Sequence, residues 1–173
     1  SDDATIKVFS SPDCGLKGTL TPGMGDIKAL AVSPKGALAA GGVQLQFLSP
    51  AGELLKANDE YLYGVRSLAF SPDGALLAVG TGMEKRLEIW DAAKLELAGS
   101  VKDSDWINCV TFTPDGKKVV TGGSAVKVWD AATGACLRTF EGHDDEIYCV
   151  DVSPDGRFAA SASNDKTIKL WSL

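Results

Sequence analysis

Histidine is nearly missing from this sequence, and its cysteines lack any metal-binding spacing. One histidine, His143, and four cysteines, Cys14, Cys109, Cys136 and Cys149, occur in 173 residues without a Cys-x-x-Cys pair. A Cys/His zinc site and a dense disulfide framework are therefore not expected. Basic residues are outnumbered, 17 Lys and Arg against 23 Asp and Glu, for a formal charge of −6. A surface that tracks phosphates needs a cationic excess on one face, so nucleic acid is not an expected partner. No apolar run approaches the roughly 20 residues of a membrane-spanning helix. Ser1-Asp2-Asp3 lacks the basic-then-apolar order of a signal peptide. An acidic chain free of any membrane is the expectation, and free thiols favour a cytoplasmic or nuclear location over secretion. Helical periodicity is also absent along the whole chain.

What is present is a repeat. Ser33-Pro34-Lys35-Gly36, Ser71-Pro72-Asp73-Gly74, Thr113-Pro114-Asp115-Gly116 and Ser153-Pro154-Asp155-Gly156 recur at steps of 38, 42 and 40 residues. Proline at the second position presets φ, and glycine at the fourth frees the chain to turn into the next strand. An alternating stretch such as Val65–Phe70 precedes each turn and a small-residue strand such as Phe158–Ser163 follows, which reads as a hairpin. A second motif keeps the same period: Ile6-Lys7-Val8-Phe9, Leu87-Glu88-Ile89-Trp90, Val126-Lys127-Val128-Trp129 and Ile168-Lys169-Leu170-Trp171, with a degenerate copy at Leu45–Leu48. Apolar, polar, apolar, aromatic is a half-buried strand ending in a large ring. A weaker fourth strand, such as Cys136–Phe140, completes each period. Cys109 and Cys149 sit at equivalent places and are expected to be small buried residues.

These residues resemble the WD-repeat family of β-propellers. Trp90-Asp91, Trp129-Asp130, the four turns, Gly142-His143 and the stretch Asn164–Trp171 carry the likeness, which weakens over 37–64. The resemblance implies an all-β fold of four-stranded antiparallel blades, about four in this chain. Naming the strands a to d from the channel outward, 1–26 supplies c and d of a partial blade. Full blades follow at 27–64, 65–106 and 107–146, and 147–173 gives a final blade without d. Exposed blade faces and edges need cover. An arc of a seven- or eight-bladed ring, half of a dimeric eight-bladed ring, and a self-closed four-bladed ring each supply it.

Ser, His and Asp in one repeat have the composition of a nucleophilic triad. The resemblance gives His143, Ser161, Asp165 and Trp171 a different role, a structural hydrogen-bond chain, with Ser163 as the alternative serine. Thr121 with Trp129 and Thr81 with Trp90 are expected to form shortened versions. Asp103, Asp105, Asp144, Asp145 and Glu146 lack the calcium-loop pattern and read as a solvated acidic rim. Gly41-Gly42 and Gly122-Gly123 precede no Gly-Lys phosphate loop and read as turns using positive φ. By position in the family, Lys28, Arg66, Asn108 and Tyr148 face the channel mouth, with Tyr63 and Trp106 in adjoining loops.

The expected function is a non-enzymatic scaffold that displays its top surface and rim to protein or peptide partners, needs no cofactor, and favours basic segments through its acidic loops. A self-assembling half-propeller and a catalytic propeller are the alternatives. The second requires a convergent polar pocket, to which one histidine contributes little.

Overall fold

The computed structural model describes residues 3–10, 13–59, 61 and 63–173. Ser1 and Asp2, cited above for the order of the N-terminus, lie outside them. The described chain forms seventeen strands in five antiparallel sheets, each a meander whose neighbours follow chain order. The first sheet holds β1 (Ile6–Phe9) and β2 (Leu16–Leu20). The second holds β3 (Ala29–Val32), β4 (Leu38–Gly41), β5 (Leu45–Leu48) and β6 (Leu54–Asn58). The third holds β7 (Val65–Phe70), β8 (Leu76–Thr81), β9 (Arg86–Asp91) and β10 (Glu96–Lys102). The fourth holds β11 (Cys109–Phe112), β12 (Lys118–Gly122), β13 (Val126–Asp130) and β14 (Cys136–Phe140). The last holds β15 (Ile147–Val152), β16 (Phe158–Ser163) and β17 (Ile168–Ser172). The all-β expectation with four-stranded blades holds.

Sheet packs on sheet in sequence. One apolar cluster joins the first and second sheets through Ile6, Ala40 and Leu48. Phe47, Leu68 and Trp90 belong to the next, which joins the second and third. Leu87, Val110 and Trp129 belong to the cluster between the third and fourth, and Val128, Ile147 and Ala159 to that between the fourth and last. Contacts of β3 with β7, β7 with β11 and β11 with β15 place the first strand of each of the last four sheets on a common inner track. The second strands of the third and fourth sheets are covered on both faces, which explains why Leu77-Ala78-Val79 and Val119-Val120 are continuously apolar and buried. β10 and β14, outermost, are largely exposed.

The repeated turns behave as one device. In each, the glycine N–H donates to the Ser or Thr carbonyl at 2.8 Å, and glycines 36, 74, 116 and 156 all have positive φ. In the last three, the hydroxyl donates to the turn aspartate at 2.6 Å: Ser71 to Asp73, Thr113 to Asp115 and Ser153 to Asp155. Asp73, Asp115 and Asp155 consequently titrate below the usual carboxylate range, chiefly through that hydroxyl.

Two expectations are corrected. Gly42 and Gly123 do not have positive φ. A Cβ on Gly123 would lie 2.1 Å from the Trp106 carbonyl oxygen, and one on Gly42 2.2 Å from that of Asp26. Glycine is needed there so that the loop entering each inner strand can approach its neighbour's backbone. Cys109 is buried, and burial pushes its thiol up to about 12, but Cys149 is exposed. The last sheet packs over Cys109, whereas among the described residues no sheet covers the opposite face at Cys149, where Ile168 and Leu170 are also 79% and 69% exposed.

Candidate functional site

The four residues named for the hydrogen-bond chain meet in the last sheet. His143 lies in the loop before β15, Ser161 on β16, Asp165 in the turn after it, and Trp171 on β17. His143 Nδ1 is 2.6 Å from Asp165 Oδ2, its Nε2 is 2.8 Å from Ser161 Oγ, and Trp171 Nε1 donates to the same Oγ at 2.8 Å. The Asp165 partner fixes the hydrogen on Nδ1, because a carboxylate accepts. Ser161 Oγ accepts from the indole and shares a second hydrogen bond with Nε2. Ser163 is engaged elsewhere, donating to the Asp145 carbonyl. Burial opposes ionisation of Asp165, but bonds from Thr167, His143 and the Asp144 and Thr167 backbone hold its carboxyl well below the usual range. The order Asp, His, Ser resembles that of a nucleophilic triad, but Ser161 is only 2% exposed and its oxygen is already held by the indole. Attack by a nucleophile needs access, which this hydroxyl lacks.

The tryptophans of the other sheets are satisfied differently. Trp129 Nε1 donates to Thr121 Oγ1 at 2.9 Å, as expected. Trp90 does not use Thr81, whose hydroxyl is taken by the backbone of Arg86. Its indole donates instead to Glu88 Oε2 at 3.0 Å. Glu88 was missed because its position in the strand motif is usually a solvent-facing polar residue. The presence of Tyr61, which donates to the same oxygen from a preceding loop, is a tertiary fact.

The second constellation lies at the inner ends of the sheets. Lys28 and Asn108 immediately precede β3 and β11, and each backbone N–H donates at 2.8 Å, to the Gly41 and Gly122 carbonyls respectively. Arg66 and Tyr148 occupy the register shifts at the starts of β7 and β15. A bulge leaves one residue out of the ladder and re-aims its side chain. Lys28, Tyr63, Arg66, Asn108 and Tyr148 thereby line one cavity of about 280 Å³. Trp106 stands behind it, its ring 4.6 Å from the Arg66 guanidinium carbon. Arg66 Nη1 donates to Asn108 Oδ1 at 3.3 Å, and Asn108 Nδ2 donates to the Ile147 carbonyl at 3.2 Å. The buried amide thus links three successive sheets. The Glu146 carboxylate, hydrogen-bonded to the Tyr148 phenol, raises its pKa.

The acidic rim is partly consumed within the molecule. Asp103 pairs with Lys127, Asp105 approaches Lys85 at 4.0 Å, and Asp145 accepts from Asn164. Among the described residues no group of three or more His, Cys, Asp and Glu is placed to hold a metal ion.

Three segments, 53–91, 95–130 and 134–172, match the family model described as WD domain, G-beta repeat. Each segment contains the outermost strand of one sheet and the first three of the next: β6 with β7–β9, β10 with β11–β13, and β14 with β15–β17. The sequence repeat therefore straddles two sheets and ties them covalently. The chain is 35% identical over 109 residues to the serine-threonine kinase receptor-associated protein of Gallus gallus, covering 62% of this chain and 31% of that protein. It is 29% identical over 135 residues to the nuclear distribution protein PAC1 of Arthroderma benhamiae, covering 70% of this chain and 29% of that one. The chain spans about three tenths of the length of these curated relatives. With two thirds of its residues inside matched repeats, it belongs to the WD-repeat family.

Proposed function

We propose that the chain is a non-catalytic docking module that binds a protein or peptide segment at the mouth cavity. The observation that carries this is the convergence of Lys28, Tyr63, Arg66, Asn108 and Tyr148 from four successive sheets on one cavity. Arginine and tyrosine bury large areas while keeping polar heads, the composition of interface hot spots. Residues at the ends of strands in a packed array bind without a large ordering cost. A relative named for association with a receptor kinase supports the reading of a protein partner. A basic-segment preference gains little support from a rim whose Asp103 and Asp105 face Lys127 and Lys85. Cys109, Cys136 and Cys149, which form no disulfide, fit a cytoplasmic or nuclear location.

The test is a paired capture. Proteins retained by the wild-type chain are compared with those retained by a Tyr63→Ala/Arg66→Ala/Tyr148→Ala variant and by a Leu137→Ala control on the outer strand. Partners lost from the mouth variant but kept by the control are expected. Identical retention by all three would show that docking takes place elsewhere.

Self-association has its own observation in exposed Ile168 and Leu170 on the last sheet and Phe9 and Val32 at the other end. It predicts a doubling of the 18.1 kDa chain mass in solution, abolished by Ile168→Lys/Leu170→Lys.

A further inference from the structure

The molecule is acidic, but the mouth cavity is lined by two cations and no carboxylate. Lys28 and Arg66 stand on adjacent inner strands of the array, and among the described residues neither takes part in an ion pair. Arg66 is held on two sides, by the Trp106 ring at 4.6 Å and by Asn108 Oδ1 at 3.3 Å. A guanidinium carries five N–H donors in a fixed fork, so these contacts orient it and leave donors facing the cavity. Lys28 is exposed on the neighbouring wall, and the phenols of Tyr63 and Tyr148 complete the rim. Lys28, Arg66 and the Tyr63 phenol keep donors for a ligand, whereas the Tyr148 phenol is held by Glu146 and the Asn108 oxygen by Arg66.

Two nearby carboxylates, Glu146 and Glu84, do not line the cavity but are bonded to residues that do. Glu146 Oε2 lies 3.4 Å from Asn108 Nδ2, and Glu84 Oε1 accepts from the Tyr63 backbone N–H at 3.0 Å. They hold the walls, and among the described residues neither lies within ion-pair distance of Lys28 or Arg66. The volume, about 280 Å³, is small even for a drug-sized ligand and suits a single side chain.

Resting on the docking reading above, we infer that this cavity receives the carboxylate side chain of an acidic peptide segment, paired with Arg66 and Lys28. The partner's glutamate or aspartate supplies the missing counter-ion, and the two phenols flank it. Specificity for an acidic segment in an acidic protein arises because the Debye length is about 8 Å at physiological salt, so distant like charges are screened while contacting ones are not.

The probes are fluorescein-labelled hexaglutamate, hexaglutamine, hexalysine and a hexapeptide of alternating phosphoserine and alanine. Binding is read by polarisation on the 173-residue chain. Hexaglutamate is expected to bind most tightly, and Arg66→Gln to weaken it about tenfold, as for loss of a charge-assisted hydrogen bond. Glu146→Gln removes a repelling neighbour and is expected to tighten binding about twofold to fivefold. A gain cannot come from misfolding, so it guards the Arg66→Gln result. Tightest binding of hexalysine or hexaglutamine, lost in the Arg66→Gln variant, would overturn the carboxylate while leaving the cavity as the docking place. Preference for the phosphopeptide would replace carboxylate by phosphate and also overturn it. Hexaglutamate binding unaffected by Arg66→Gln, or absent altogether, sinks the inference, while the paired capture still decides whether the mouth docks a partner.

Discussion

Tyr61 and Glu88, 27 residues apart in the chain, share a 2.5 Å hydrogen bond inside the protein. Tyr61 lies between the second and third sheets and Glu88 on β9, so the bond locks an inter-sheet connection to the strand bearing Trp90. The indole donates to the same carboxylate oxygen, and Glu88 is 7% exposed. Replacing Glu88 by alanine strands two buried donors and should cost about 1–3 kcal/mol. Glu88→Gln keeps an acceptor and should cost less. Urea denaturation orders the two; equal stabilities for wild type and Glu88→Ala would contradict the contact's role.

His143→Ala removes the link between Asp165 and Ser161 and leaves the buried Ser161 hydroxyl short of one hydrogen-bond partner. The loss should be about 1–3 kcal/mol, as for orphaned buried polar groups. Hydrogen exchange should localise the loosening to β16 and β17. An unchanged melting temperature counts against a structural role.

Gly123→Ala brings a methyl within 2.1 Å of the Trp106 carbonyl, a backbone atom that cannot swing aside. Overpacking of this kind costs about 1–3 kcal/mol. Gly99 on β10 meets nothing within 4 Å, so Gly99→Ala should stay within about 0.5 kcal/mol of wild type. Thermal melts of the pair separate steric need from the general cost of changing glycine.

Acid should loosen the repeated turns. Asp73, Asp115 and Asp155 have folded pKa values below their ordinary 3.8. A depressed folded pKa means the unfolded state binds protons first. The stabilisation is therefore complete above the ordinary value and is lost as pH falls from there through the folded pKa. The melting temperature should fall as pH drops below about 4. The triple Asp73→Asn/Asp115→Asn/Asp155→Asn variant should show a shallower fall, and a slope equal to wild type would show that other carboxylates govern acid stability.

The architecture was legible because its signals are local. A Ser/Thr-Pro-Asp-Gly turn defines its own hydrogen bonds within four residues, and the apolar-polar-apolar-aromatic strand records which face is covered. His143, Ser161, Asp165 and Trp171 were legible through family likeness, since their 10- to 22-residue separations carry no local signal. Glu88 was not, because a carboxylate in a strand reads as solvent-facing until Tyr61 is brought to it. Gly42 and Gly123 were identified as required glycines but for a backbone torsion, whereas the requirement comes from a neighbour's carbonyl.

By itself the sequence determined the period, the turn chemistry and the alternation that makes each strand half-buried, since these depend on neighbours along the chain. Only the tertiary structure decided which cations share one cavity, which carboxylates are spent internally, and which cysteine is buried. Those outcomes depend on sheets packing side by side, and the convergence of Lys28, Arg66 and Tyr148 on one cavity is a property of that packing.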